Sequence, residues 1–221
     1  MRTVSELQFV IVGSGASGTG YMHKLLSNCG VPTGHEGVFT PFRPMDDTAL
    51  DKDFVGESSY MAVPWLERPW PKYPVVVHVV RDTFCVIRSL LGREFPLGGN
   101  EYFDAWMYTH LPLIVPLLHK PLTAVLFYYL RWNKRCESLS SYRVRVEDLT
   151  TVERVRDLLS VLHVEVSDEK IEEALQKTPT NYNTRPRGEV TEAEILGDAF
   201  GRDVQQMATR YGYTLEHQSH E

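Results

Sequence analysis

At 221 residues, with 43% hydrophobic and 24% charged side chains, the chain is long enough to bury a core without disulfides and reads as a single domain over 1–221. This excludes disordered, collagenous and coiled-coil proteins. A formal net charge of −6 argues against sequence-independent nucleic-acid binding, so any anion site must be local.

Cys29, Cys85 and Cys136 are odd in number and widely spaced, as expected of reduced thiols and not of a disulfide framework. Residues 1–8 carry Arg2 and Glu6 instead of a signal-peptide core. The longest apolar stretch, 111–130, is interrupted by Pro112, Pro116, His119, Lys120 and Pro121. The expectation is a cytoplasmic protein without a transmembrane helix.

Phe9–Val12 is a short β-branched run that leads directly into glycines, the pattern of a buried strand feeding a turn. Tyr21, Met22, Leu25 and Leu26 recur at helical spacing and predict a helix from about residue 18 to 29, stopped by Gly30. Residues 31–74 are rich in Pro, Gly and aromatics and predict mostly loop with a short strand or helix inside. Val75–Val80 is the strongest strand signal and has no wet face, which favours a central parallel strand.

Asp82 is placed to cap a helix running to Leu91 and Gly92. Further helices are predicted over 102–118, 122–139, 152–162, 168–177 and 203–211, with a strand over 142–146 and a polar loop over 178–188. Strands alternating with helices predict an α/β fold with a parallel sheet. Ligands on such sheets bind beyond the carboxyl ends of the strands, here after Val12, Val80 and Val146.

The run Gly13-Ser14-Gly15-Ala16-Ser17-Gly18-Thr19-Gly20 lies between a strand and a helix, where glycine-rich loops turn backbone N–H groups towards phosphate. Its first and sixth positions are glycine, but Thr19 and Gly20 stand where nucleotide hydrolases place Lys and Ser or Thr, which weakens a kinase or ATPase reading. The bland alternative is a tight strand-to-helix turn. Arg81 sits at the mouth of the next predicted helix and Ser89 lies two turns along it, eight residues apart, so together they suit an anion lying along that face; singly, each reads as a surface residue.

In this order these segments resemble the sulfotransferases that use 3′-phosphoadenosine 5′-phosphosulfate (PAPS), nearest in feel to the bacterial carbohydrate and tyrosylprotein types. The likeness runs over about residues 8–150. Ser17-Gly18-Thr19-Gly20-Tyr21 looks like the 5′-phosphosulfate loop, and Arg81 with Ser89 matches the 3′-phosphate pair. Tyr142-Arg143-Val144-Arg145-Val146-Glu147-Asp148-Leu149 is similar to a late strand and Glu-Asp-Leu signature, and Gly34-His35-Glu36 falls where some members keep a catalytic glutamate.

The resemblance implies a three-layer sandwich around a parallel sheet, the P-loop-like sulfotransferase fold. It also implies PAPS as donor without a metal, and a small-molecule or glycolipid acceptor. Its implied site has Glu36 as general base, with His35 orienting or replacing it. Gly15, Ala16, Ser17, Gly18, Thr19, Gly20, Tyr21, Arg81, Ser89, Arg185 and Arg187 would then bind the nucleotide.

Two of these positions carry alternatives. Tyr21 either stacks on adenine or packs in the core. Ala16 departs from the family, which has Lys or Arg there, so Lys24, Arg43, Arg185 or Arg187 must supply that charge if the protein is active. The rival readings are a small-metabolite kinase and an inactive nucleotide-binding relative. Residues 94–106, with Gly98 and Gly99 beside aromatics, read either as an acceptor lid or as an ordinary helix start.

Overall fold

The computed structural model describes residues 6–39, 53–69, 74–95, 101–179 and 188–215. It has the expected α/β architecture, a central all-parallel sheet flanked by helices. Five strands, β1 (Phe9–Val12), β2 (Thr33–His35), β3 (Gly56–Ser58), β4 (Val75–Val80) and β5 (Tyr142–Arg145), lie in the order β2-β3-β1-β4-β5. The register pairs Phe9 with both Gly56 and Val75, so β1 is central and buried along its whole length.

The chain leaves β1 through helix α1 (Thr19–Asn28) towards β2, on one side of β1, and later adds β4 on the other. This makes the carboxyl end of β1 a point where the strand order reverses, the usual ligand position on open parallel sheets.

The described residues pack as two compact units. The first, Met1–Gly13, Ser17–Val80 and Arg135–Thr184, contains the entire sheet. Because alternate strand residues share a face, Phe9, Ile11, Val77, Val79 and Val144 form one apolar surface. It is covered by Met22, Leu25 and Leu26 of α1, by Leu158 of α6 (Val152–Val161) and by Ile171 of α7 (Asp168–Lys177). Burying each such side chain contributes about 1.5–3 kcal/mol. A short helix, α2 (Val63–Leu66), follows β3.

The second unit comprises Ser14–Ala16, Arg81–Lys134 and Arg185–Glu221. It holds α3 (Thr83–Leu91), α4 (Glu101–His110), most of α5 (Pro121–Leu139), α8 (Glu192–Gly197) and α9 (Gly201–Arg210). Its interior is aromatic: Trp132 is fully buried, with its ring centroid 5.5 Å from that of Trp106, and the Tyr129 hydroxyl lies 2.8 Å from that of Thr83. Among the described residues, no helix is long and apolar enough to cross a membrane.

Several boundaries differ from the sequence expectation. The single helix predicted over 102–118 is α4 followed by a 3-10 turn, Pro112–Leu117, because Pro112 cannot donate a helical hydrogen bond and its ring disfavours helix in the residue before it. Val146 leaves the strand and opens a 3-10 turn, Val146–Asp148. Helix α8 was not expected, although Thr191 and Glu194 form a reciprocal capping box at its start.

Candidate functional site

The glycine run forms a tight loop between β1 and α1. Ala16 (φ 67°) and Gly18 (φ 110°) are both left-handed, an alternation that lets consecutive backbone N–H groups converge on an anion. Gly18 is also held against Val146, and a Cβ at residue 18 would overlap the Val146 side chain. No side chain caps α1 and no acidic residue occupies its first turn, so its amino end keeps its positive polarity.

Ser14 and Ser17 are buried, and their hydroxyls have no hydrogen-bond partner among the described residues. Buried hydroxyls beside an uncapped helix start suit an anion. The loop itself supplies polar groups and no charge. Within it, the Gly15 amide is committed to the buried Tyr128 hydroxyl at 2.8 Å, an anchor 113 residues away that no local pattern reveals.

The neighbouring strand ends are tied to this helix start through one residue. The Ser58 hydroxyl, at the end of β3, donates to the Thr19 carbonyl at 2.8 Å, while the Ser58 carbonyl accepts from His35 Nδ1, also at 2.8 Å. A carbonyl oxygen only accepts, so Nδ1 carries a proton. In the neutral ring, Nε2 is therefore the lone pair.

That nitrogen faces Glu36 Oε1 at 3.7 Å, and both side chains are about a third exposed. His23, one turn into α1, stacks on His35 with centroids 5.6 Å apart and bonds the Thr33 carbonyl through its own Nδ1 at 2.8 Å. Two proton acceptors, Glu36 and His35 Nε2, thus stand side by side within reach of solvent.

Glu57, in the middle of β3, is a contributor that sequence reasoning missed. It is fully buried, and its Oε1 accepts from the Gly37 and Val38 amides at 2.9 and 3.1 Å. These bonds fix the chain just after Glu36, which sits in the left-handed region at φ 53°. Gly34 faces Glu57 across the β2–β3 pair, where the absence of a Cβ leaves room for the carboxylate. The Gly34/Glu57 pairing across strands was the one available signal, and it needs the strand register to be seen.

In the second unit, Asp82 caps α3 as expected, accepting from the Cys85 amide at 2.7 Å. Arg81 immediately precedes it and Ser89 lies on its second turn; both are half-buried, and their side chains make no ion pair or hydrogen bond among the described residues. Beside Ser89, Arg88 is tied reciprocally to Gly188. Its Nε donates to the Gly188 carbonyl at 3.1 Å, and the Gly188 amide donates to the Arg88 carbonyl at 2.8 Å.

Tyr21 takes the packed alternative: it is buried in the core and its hydroxyl donates to the Leu149 carbonyl at 3.1 Å. Trp106 is buried as well. Arg43, Gly98, Gly99, Arg185 and Arg187 lie outside the described residues.

No protein-family model matches the chain, and no curated protein does. A solved mouse sulfotransferase, SULT7A1 complexed with PAP, is similar in structure at 10% identity with a TM-score of 0.46, covering 90% of this chain and 68% of that one. A likeness this distant carries no argument about function.

Proposed function

We propose that this chain transfers a sulfuryl group from PAPS to a hydroxyl or amine of a small acceptor, such as a carbohydrate or glycolipid. The observation that carries the reading is the link through Ser58, which joins the uncapped start of α1 to the His35–Glu36 pair. An anion-holding helix start and a proton acceptor are the two parts that group transfer to a hydroxyl requires, and one residue bonds both.

PAPS, when bound, supplies the group that is transferred. The amides of residues 16–20 and the hydroxyls of Ser17 and Thr19 hold its 5′ end, and Arg81 with Ser89 holds its 3′-phosphate. Arg185 and Arg187 precede Gly188, which is bonded to the residue next to Ser89, so they are the candidates to add charge at the same phosphate. Lys24, half-buried on α1, is a further source of the positive charge absent at Ala16.

Glu36 takes the acceptor proton as the acceptor oxygen or nitrogen bonds to sulfur. The bond from sulfur to the 5′-phosphate oxygen breaks, and 3′-phosphoadenosine 5′-phosphate leaves with that electron pair. His35, its Nδ1–H held by Ser58, keeps Nε2 towards Glu36; with Nε2 unprotonated it accepts the proton in place of Glu36, and with Nε2 protonated it orients the Glu36 carboxylate. General-base catalysis of this kind contributes about 10²–10⁴-fold. Glu57 fixes the backbone that carries the base.

The test is transfer of labelled sulfate from PAPS to acceptors in an extract. Transfer that falls by about 10²-fold or more in Glu36→Gln supports the reading. Absence of transfer with PAPS, together with Mg²⁺-dependent phosphate transfer from ATP, sinks it in favour of a kinase.

A further inference from the structure

Three large hydrophobic side chains are markedly exposed among the described residues, and two of them, Leu113 (65%) and Val115 (47%), sit on the 3-10 turn Pro112–Leu117. Single exposed aliphatics are ordinary, but two on one short turn beside exposed Pro112 and Pro116 make an apolar tip. The turn is also preformed. Ile114, fully buried, anchors it from below, and its amides bond inward from Ile114 to Leu111 and from Leu118 to Val115.

The charge around this tip has one sign along the chain. Residues 105–136 contain no Asp or Glu in a protein that has 29, while Lys120, Arg131 and Lys134 are exposed. His119 and Lys120 directly follow the turn, and Arg131 lies roughly 16 Å along α5 from Lys120. Two acids are tied to this stretch: Glu67 pairs with Arg135 late in α5 at 2.6 Å, and Asp198 accepts from the Thr123 hydroxyl at 2.6 Å and the Phe200 amide at 3.0 Å.

We propose that this turn is a docking tip for an anionic membrane surface, with Leu113 and Val115 entering the acyl boundary and Lys120 meeting the headgroups. Two aliphatic side chains and two prolines are far too few for a stable protein interface, which needs about 800 Å² from each partner. A bilayer surface requires no matching shape. It rewards a small apolar wedge beside cations, even on a protein whose overall charge is negative.

Co-sedimentation of the intact chain with phosphatidylcholine vesicles, with and without one third phosphatidylserine, tests this directly. The expected result is partitioning onto the anionic vesicles that weakens with salt. It should fall more than about tenfold in Leu113→Asp/Val115→Asp, and severalfold in Lys120→Glu, with unchanged circular dichroism. No binding by the natural chain, or equal binding by the double variant, overturns the proposal. So does a dimer in light scattering that the double variant abolishes, since that assigns the tip to a second copy. Leu113→Ser is the milder variant if the double one fails to fold.

Discussion

Replacing Gly34 with alanine probes whether Glu57 holds the segment that carries Glu36. A methyl at residue 34 would overlap Glu57 Oε2 and lie 2.9 Å from its Cδ and 3.1 Å from Phe54 Cδ2, where real Cβ atoms essentially never come within 3.0 Å. The carboxylate is fully buried and its other oxygen is bonded to two amides, so it cannot swing away without breaking them.

Overpacking of this kind costs about 1–3 kcal/mol, and each bond to a buried charge contributes about 1.5–3 kcal/mol. A loss of about 2–4 kcal/mol is expected, which for a chain of this size lowers Tm by roughly 5–15 °C. The ordinary effect of Gly→Ala within a strand is a gain of about 0.5–1 kcal/mol, so the sign itself is diagnostic. Urea unfolding of Gly34→Ala alone and in a Glu57→Ala background measures the coupling. Unchanged or raised stability in the single variant, or a cost independent of residue 57, refutes the reasoning.

Gly18→Ala combines a left-handed backbone cost of about 1–2 kcal/mol with overlap on Val146. Its loss of stability in thermal unfolding should be partly restored by Val146→Ala, and a neutral Gly18→Ala contradicts the loop geometry. Burial pushes the Cys29 thiol up to about 11 and raises that of Cys136 further, whereas Cys85 is only half-buried. Thiol labelling of the folded chain at pH 8 should therefore modify Cys85 first, with Cys29 gaining thiolate only as pH approaches 11; mass spectrometry showing Cys29 labelled first contradicts this.

The strong periodic signals carried much of the architecture. Val75–Val80, with no wet face, became a central strand, and Asp82 before an apolar run became the cap of α3. β2 and β3 were not individually legible. Thr33-Gly34-His35 and Gly56-Glu57-Ser58 have neither alternation nor a β-branched run, and their pairing with β1 and with each other specifies them.

The same limit applied at the site. The glycine loop could be read locally, because its residues are adjacent, whereas His35–Glu36 was singled out only by the family resemblance. Tyr128, Ser58 and Glu57 act across long sequence separations, and their roles depend on strand register and helix packing. Tyr21 was ambiguous because a first-turn aromatic suits either a ligand or the core. Its hydroxyl bond to Leu149 gives it a buried partner.

The most direct measurement of the central claim is calorimetric binding of 3′-phosphoadenosine 5′-phosphate and of AMP, in the presence of a chelator, to the natural chain and to Arg81→Ala. The account predicts that the bisphosphate binds about tenfold or more tightly than AMP without divalent ions, and that Arg81→Ala removes most of this difference. Equal affinity for the two nucleotides, or binding of the bisphosphate only when Mg²⁺ is restored, would contradict it.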